Sequence, residues 1–183
     1  MMRTMIRVGV AVAMSLMGAA ASAQEVDWYA GVGVGAELSD RGPSYGVDPD
    51  ADTLKTLLVG ARFAQGFGVE ASYVDLGRLF QAGIADGGFD VDGELWSVGA
   101  TYTVSFDAFE PYAKLGWFSR EEDGVSNSIA GPVPISFDDD GVMGEVGARW
   151  RINEPVALRL GYVWYDFEPE SDGSVQVAAE WHF

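Results

Sequence analysis

Apolar and polar residues alternate with a period of two along most of the chain. Eight alternating segments are separated by turn-rich stretches, at residues 26–38, 54–64, 67–75, 94–104, 110–120, 141–151, 155–167 and 175–183. A period of two places successive side chains on opposite faces of a strand, whereas helical spacing is absent. Each segment is close to the 9–11 residues that a tilted strand needs to cross a bilayer. The pattern therefore predicts an all-β protein with eight membrane-crossing strands.

The connections between these segments alternate in length. Tight connections occupy residues 65–66, 105–109 and 152–154, and mostly long ones, rich in Gly, Pro, Ser and Asp, occupy 39–53, 76–93, 121–140 and 168–174. Bacterial outer-membrane barrels have short periplasmic turns and longer loops outside the cell. The alternation predicts an eight-stranded antiparallel up-and-down transmembrane β-barrel, located in the bacterial outer membrane with both termini in the periplasm.

One face of the eight segments is apolar, carries no charged residue, and contains all six tryptophans. Up-and-down threading divides them between a periplasmic rim and an outer rim, the first with Trp28, Trp150 and Trp181 and the second with Trp96, Trp117 and Trp164. Aromatic girdles at both membrane interfaces are typical of outer-membrane barrels. The alternative is a soluble barrel such as a lipocalin, with its apolar face turned inward around a ligand. It is disfavoured because the opposite face is mostly Gly, Ser, Thr and Ala, which suit a narrow lumen.

The last segment, SVQVAAEWHF, ends on an aromatic residue with a second aromatic two positions earlier. This ending resembles the terminal strand by which outer-membrane barrels are recognised for assembly. Trp181 and Phe183 are therefore predicted to form the signal that the barrel assembly machinery reads.

The N-terminal residues have the pattern of a secretory signal peptide. Arg3 and Arg7 give a positive start, residues 8–16 are apolar, and Ala21-Ser22-Ala23 matches a cleavage site. The sequence thus predicts a cleavable signal peptide at residues 1–23 and a single outer-membrane barrel domain at residues 24–183. The chain has no cysteine, which excludes disulfides and thiol chemistry.

The chain is strongly acidic, with a formal charge of −17 that becomes −19 without Arg3 and Arg7. Such a charge excludes nucleic acid as a partner. The long connections, together with Asp166, hold 17 acidic residues against Arg41 and Arg78. One interpretation is that they form solvated loops; the other is that they bind divalent cations that bridge to outer-membrane lipids and lipopolysaccharide, or bind a surface partner.

The polar face carries eight charged residues, namely Arg62, Lys114, Arg120, Arg149 and Arg159 with Glu70, Glu145 and Glu180. Buried charges persist only when they are paired and hydrogen-bonded. A charged network is therefore expected to fill the lumen and to stop all but small ions. The residues leave open whether these pairs are only structural or also form a gate.

At these residues the chain resembles the eight-stranded barrel domain of the OmpA-like family. FGVEASYVDLGRL is similar to that family's third strand with its luminal glutamate, here Glu70, and RLGYVWYDF to its seventh strand with its luminal arginine, here Arg159; FEPYAKLGW adds a further match. The resemblance implies an ion pair between Glu70 and Arg159 across the lumen, acting as a gate. The places of the family's second luminal pair hold Ala100 or Thr101 and Arg149. Only the barrel domain is expected, without a peptidoglycan-binding domain.

Three function classes follow from these features. The leading expectation is a small, non-enzymatic outer-membrane protein that supports envelope integrity, with low-conductance porin activity. The alternative is a surface adhesin or receptor that acts through acidic extracellular loops. An enzyme that modifies lipid A is disfavoured, because it needs a nucleophile and a base close together near the outer leaflet, and the chain's single histidine, His182, is placed at the periplasmic rim. No catalytic, metal-binding or cofactor-binding set is predicted.

Overall fold

The computed structural model describes residues 26–37, 54–84, 87–128, 131–166 and 171–183. The predicted signal peptide and the whole connection at 39–53 lie outside the described residues. The described residues form eight strands: β1 (Asp27–Glu37), β2 (Leu54–Arg62), β3 (Phe67–Ile84), β4 (Gly87–Thr103), β5 (Phe109–Ser128), β6 (Gly131–Asn153), β7 (Val156–Asp166) and β8 (Ser171–His182). No described helix is long and apolar enough to span a membrane.

Each strand pairs antiparallel with its neighbours in sequence, and β1 pairs with β8 to close a barrel. The predicted eight-stranded antiparallel up-and-down β-barrel is thus confirmed. Closure leaves the wall without the unpaired edges that an open sheet exposes. β2 and β3 are joined by a short 3-10 turn, Ala64–Gly66, in which Gly66 has a φ of +86° and lies against the carbonyl oxygen of Thr103.

Alternate side chains point into and out of the barrel as the period of two predicts. The outward face exposes aliphatic residues on several strands, among them Val32, Leu57, Val98, Leu115, Val146, Leu160 and Val177. The inward face is buried and mixes charged, small and apolar side chains. An apolar surface on the outside of a barrel, around a largely polar interior, is the reverse of a soluble protein and matches a barrel surrounded by lipid.

Five strands extend beyond their predicted ends, so the interpretation of residues 76–93 and 121–140 as loops is wrong. The same holds for part of the connection at 168–174, because β8 begins at Ser171. β3 pairs with β4 out to Ile84↔Gly87, and β5 pairs with β6 without interruption out to Ser128↔Gly131. β4 and β5 also pair along their extensions, from Glu94↔Glu121 to Gly88↔Asn127. These extensions continue past the apolar band of the barrel, and their pairing is carried by backbone hydrogen bonds.

We name three parts of the molecule from this geometry. The turn rim is the end of the barrel at the tight connections, where β1 begins and β8 ends. The hairpin rim is the opposite end, where β3–β4 and β5–β6 continue beyond the barrel. The hairpin sheet is the four-stranded extension made of residues 76–84, 87–94, 120–128 and 131–140.

Candidate functional site

The centre of the lumen is organised around Arg159, which β7 projects inward. Its Nη1 lies 2.6 Å from Oε2 of Glu70 and 3.1 Å from Oε1 of Glu180, and its Nη2 lies 2.7 Å from Oε1 of Glu145. Nη2 also donates to the second oxygen of Glu70 at 3.1 Å, so the contact with Glu70 is bidentate. One guanidinium thus joins carboxylates from β6 and β8, the strands that flank β7, and from β3 across the lumen.

Lys114 and Arg149 give two of these carboxylates, Glu70 and Glu180, further cationic partners. Lys114 Nζ, from β5, donates to Glu70 at 3.0 Å and to Ser97 at 3.1 Å. Arg149 Nε contacts both oxygens of Glu180, at 2.8 and 3.1 Å, and its guanidinium lies over the ring of Tyr112, 4.3 Å from the centroid. Each carboxylate therefore has at least one cationic partner, as buried charges require.

This central layer has three acids and three bases, Glu70, Glu145 and Glu180 with Lys114, Arg149 and Arg159, each at most 6 % exposed. Their formal charges cancel. An ion that entered the layer would have to displace a partner from a charge that is already paired, which is costly in an environment of low dielectric constant. The geometry therefore opposes ion passage at the centre of the barrel.

Two buried tyrosines extend the central layer, and glycines make room for them. Tyr29 donates to Glu70 at 2.9 Å, while Tyr112 bonds to Glu145 and accepts a bond from Arg159 Nε at 2.6 Å. A Cβ on Gly60 would collide with the ring of Tyr29, and one on Gly161 with Tyr112 and Glu145. The small residues of the inward face are thus where bulky luminal side chains need the volume.

A second charged cluster closes the turn rim. Arg62 bridges Asp27 of β1 and Glu110 of β5, with its Nη1 2.7 Å from Glu110. Arg151 contacts the same two acids, at 3.2 Å from Glu110 and 3.7 Å from Asp27. His182 Nδ1 lies 2.9 Å from Asp27. The cluster ties β1, β2, β5, β6 and β8 together across the mouth of the lumen.

The hairpin-rim half of the lumen is filled by apolar side chains. We call this set the apolar layer; it consists of Leu54, Val74, Leu76, Leu95, Phe118, Met143, Val163 and Tyr165, each at most 8 % exposed. Phe118 and Tyr165 meet edge to face, with ring centroids 5.3 Å apart. Apart from the Tyr165 hydroxyl, such a layer offers an ion no side-chain ligand, so it opposes ion passage in series with the charged centre.

The structure brings six of the eight predicted luminal charges together in the central layer and separates the other two from it. Arg62 belongs to the turn-rim cluster. Arg120 lies at the hairpin rim, where it pairs with Glu122. Glu70 and Arg159 are in direct contact, at the positions that the OmpA-like resemblance assigns to an ion pair.

Sequence reasoning missed several residues of the lumen. The inward face of the strand ends also carries three charged residues, Asp27, Glu110 and Arg151. The luminal prediction considered charged residues, so it did not include Tyr29 and Tyr112. The apolar layer also had a signal, since apolar residues occupy both faces of the strands near the hairpin rim. The small and charged residues elsewhere on the inward face made that face look polar as a whole, so the apolar layer was not predicted.

The tryptophans lie on the outward face, in two sets. Register places Trp28, Trp150 and Trp181 near the turn rim and Trp96, Trp117 and Trp164 toward the hairpin rim. Five of the six are exposed and Trp28 is half-buried. Trp181 and Phe183 are also outward and exposed, at 56 % and 71 %.

Carboxylates lie just beyond the outer tryptophans. Asp75, Glu94, Glu121 and Asp138 occupy neighbouring register positions across β3 to β6. Within the described parts of the chain, no three His, Asp or Glu side chains are arranged to hold a metal ion. The acidic run at Asp48, Asp50 and Asp52 lies outside the described residues.

Comparison with known proteins agrees with this architecture. The model of the outer membrane protein beta-barrel domain family matches residues 8–183. No curated protein sequence matches the chain significantly. Among solved structures, the chain is similar to Ail, the attachment invasion locus protein of Yersinia pestis, in complex with the heparin analogue sucrose octasulfate. The TM-score is 0.62 at 18% identity, and the match covers 87% of this chain and 99% of Ail.

Two further structures share the fold. The N-terminal β-barrel domain of Pseudomonas aeruginosa OprF has a TM-score of 0.59 at 10% identity, covering 88% of this chain and 100% of that domain. A major outer membrane protein of Thermus thermophilus has a TM-score of 0.61 at 13% identity, covering 87% of this chain and 100% of that one. Identities this low show a common fold alone. Because the family model covers nearly the whole sequence, this chain belongs to the outer membrane protein β-barrel domain family.

Proposed function

We propose that this protein is a non-enzymatic structural barrel of the outer membrane, whose filled lumen supports envelope integrity and keeps the barrel closed. The observation that carries the proposal is the succession of a turn-rim cluster, a charge-neutral central layer and an apolar layer along one lumen. The cross-lumen ion pairs tie opposite strands of the wall together, and the apolar layer packs the remaining space. A barrel so filled is a rigid membrane element.

Low-conductance porin activity fits this lumen only as rare, brief openings. Passage needs the pairs of Arg159 to open, and Lys114, which already contacts Glu70, would keep that carboxylate paired when Arg159 moves away. The apolar layer has to part at the same time. Because both events are required together, the gate that the OmpA-like resemblance implies for Glu70 and Arg159 is at most one of two barriers.

Envelope integrity can be tested in cells. Deletion of the gene is expected to increase sensitivity to detergent and to bulky apolar antibiotics, and expression of the full chain is expected to restore resistance. A deletion strain with unchanged sensitivity would contradict the structural role. Unchanged detergent sensitivity together with slower uptake of small solutes would favour a porin instead.

We also propose that residues 1–23 are removed on export, that the turn rim faces the periplasm and that the hairpin sheet lies outside the cell. The chain has no cysteine, so a single introduced one reports its own exposure. Ser136→Cys, on the hairpin sheet, is expected to react with a membrane-impermeant maleimide on intact cells. Asn153→Cys, an exposed turn-rim residue, is expected to react only after the outer membrane is opened. The reverse labelling would contradict this orientation.

The absence of enzymatic activity is part of the same proposal. His182, the chain's single histidine, is 7 % exposed at the turn rim and bonded to Asp27. That position is remote from the hairpin rim, where the outer leaflet lies in the proposed orientation. Lipid A from cells that express the protein is therefore expected to keep its acyl-group masses, and a changed mass would contradict a non-enzymatic role.

The second candidate function is that of a surface adhesin or receptor. It is favoured by one observation, that β3 to β6 continue as an ordered sheet beyond the apolar band of the barrel. A structural barrel needs only short connections there. The extension gives the protein a rigid surface that projects from the membrane, in place of the acidic loops that the sequence predicts.

A further inference from the structure

The hairpin sheet ends in an open edge on β6. β6 pairs with β5 from Gly131 to Trp150, but its pairing with β7 begins only at Met143↔Tyr165. From Pro132 to Asp140, no strand of the described residues covers the other side of β6. An uncovered edge exposes backbone donors and acceptors to which an extended segment of another chain can pair.

The register shows which backbone groups face this open edge. The N–H of Arg151 donates to the carbonyl oxygen of Ala108, just before β5, so the backbone of Arg151 points toward β5. Backbone groups of successive residues point to opposite sides of a strand, and the β5–β6 register has no interruption. Odd-numbered residues of β6 therefore bond to β5, and even-numbered residues from 132 to 140 face the open edge.

The open edge is protected at both ends and available in the middle. Pro132 and Pro134 have no N–H to offer, and prolines at such positions limit pairing on sheet edges. At the other end, the N–H of Asp140 donates to the side chain of Asp139 at 2.9 Å. The parity leaves the N–H groups of Ser136 and Asp138 facing the edge, with no pairing strand among the described residues.

The two faces of β6 at this edge have different chemistry. Val133, Ile135 and Phe137 lie on the face that continues the lumen wall, and Val133 and Phe137 are 51 % and 58 % exposed. Ile135 stands opposite Gly124, which has no side chain to cover it. The edge therefore has an apolar row on one of its faces.

The opposite face is acidic. Ser136, Asp138 and Asp140 are exposed there, and β5 places Asp123 opposite Ser136 and Glu121 opposite Asp138. Like charges directly opposite one another on paired strands are destabilising. A basic side chain on an added strand would lie next to these carboxylates and relieve their repulsion.

We propose that the β6 edge binds an extended segment of a partner protein in which apolar and basic residues alternate, adding it as a fifth strand to the hairpin sheet. Residues opposite each other on paired strands share a face. The partner's apolar residues would meet Val133, Ile135 and Phe137, and its basic residues would meet Asp138 and Asp140. The backbone groups of Ser136 and Asp138 would fix its register. This binding goes beyond the proposed structural role and does not depend on whether the lumen conducts.

The test measures binding of defined peptides to the full-length barrel in phosphatidylcholine nanodiscs, with empty discs as the background. The probe is a fluorescent peptide of about eight residues that alternates lysine and valine, within the usual length of a strand. One control alternates glutamate and valine, and a second has the lysine–valine composition in blocks of two. The alternating basic peptide is expected to bind, more weakly as salt rises, and both controls are expected to stay at background.

Two substitutions test the backbone and the charge separately. Ser136→Pro removes an edge N–H and is expected to weaken binding about five- to ten-fold, while Ser136→Ala keeps that N–H and should bind nearly as the wild type does. Prolines at 132 and 134 show that this side of β6 accepts the residue. Asp138→Lys is expected to weaken binding of the basic peptide about five-fold and to improve binding of the acidic one.

Three results would overturn the proposal. The first is equal binding of the basic and acidic peptides. The second is unchanged binding to Ser136→Pro in a barrel shown to be folded by its heat-dependent gel mobility. The third is a concentration-dependent dimer that excludes the peptide and is abolished by Ser136→Pro, which would assign the edge to a second copy of this chain.

Discussion

Replacing Arg159 by alanine is expected to lower the free energy of unfolding by about 3–5 kcal/mol, the usual effect of removing one partner from a buried charge network. The change leaves Glu145 without a cationic partner among the contacts described above, and it removes the bidentate contact from Glu70. Urea unfolding of the refolded barrel in lipid vesicles, followed by tryptophan fluorescence, measures the difference.

Two further variants make the Arg159 result specific. Arg159→Lys keeps the charge but replaces a planar set of donors that reaches three carboxylates, so it is expected to fall between wild type and alanine. Lys55→Ala removes the exposed pair with Asp75, at 3.6 Å, and is expected to cost less than about 1 kcal/mol. An Arg159→Ala barrel as stable as the Lys55→Ala barrel would contradict a stabilising central layer.

Replacing Phe118 by alanine is expected to cost about 3–5 kcal/mol, because the cavity it leaves lies among packed side chains that relax only in part. Phe118 is fully buried in the apolar layer and contacts Tyr165. The same urea titration reads the effect. The lost stability would show that the hairpin-rim half of the lumen is a packed core.

The hairpin sheet provides a matched control for Phe118. Phe137→Ala is the same substitution on the neighbouring strand β6, but Phe137 is 58 % exposed and lies beyond the barrel. Its effect on unfolding is expected to stay within about 0.5 kcal/mol. A Phe118→Ala barrel that loses no more stability than Phe137→Ala would mean that the apolar layer is loosely packed or hydrated.

The barrel itself was predictable from the sequence because lipid imposes a simple rule on each strand. Every second residue has to be apolar across the bilayer, and Leu57, Val98 and Leu160 obey that rule on three different strands. The alternation therefore gave the number of strands, their direction and the side of the wall on which each tryptophan lies. The boundaries of β1, β2, β7 and β8 differ from the predicted ones by a few residues at most.

The hairpin sheet was not predictable by the same rule. Beyond the apolar band both faces of a strand meet water, so residues 121–124 carry no period of two. On β6 the alternating residues Val133, Ile135 and Phe137 stand among Pro132 and Pro134, which are typical of turns. The β5–β6 register continues through them because each strand finds a partner that is already aligned by the barrel below. The composition of the hairpin sheet is typical of loops, but backbone pairing makes these residues strands.

The pairing within the lumen was predictable only in part. Parity shows that Glu70, Arg149 and Glu180 point inward, but it does not show their height along the barrel. That height depends on the shear between strands, which brings Arg149 to Glu180 and leaves Arg120 near the hairpin rim with Glu122. The apolar layer separates Arg120 from the central layer, a division that a list of inward charges cannot reveal.

The central claim is that the lumen is closed by two barriers in series, the charged central layer and the apolar layer. Single-channel current across a planar bilayer tests it most directly, with refolded wild type compared with Arg159→Ala, Phe118→Ala and the double variant. We expect no sustained current from the wild type or from either single variant, since one barrier remains in each, and discrete openings from the double variant. Sustained openings of the wild type, or of Arg159→Ala alone, would contradict the account.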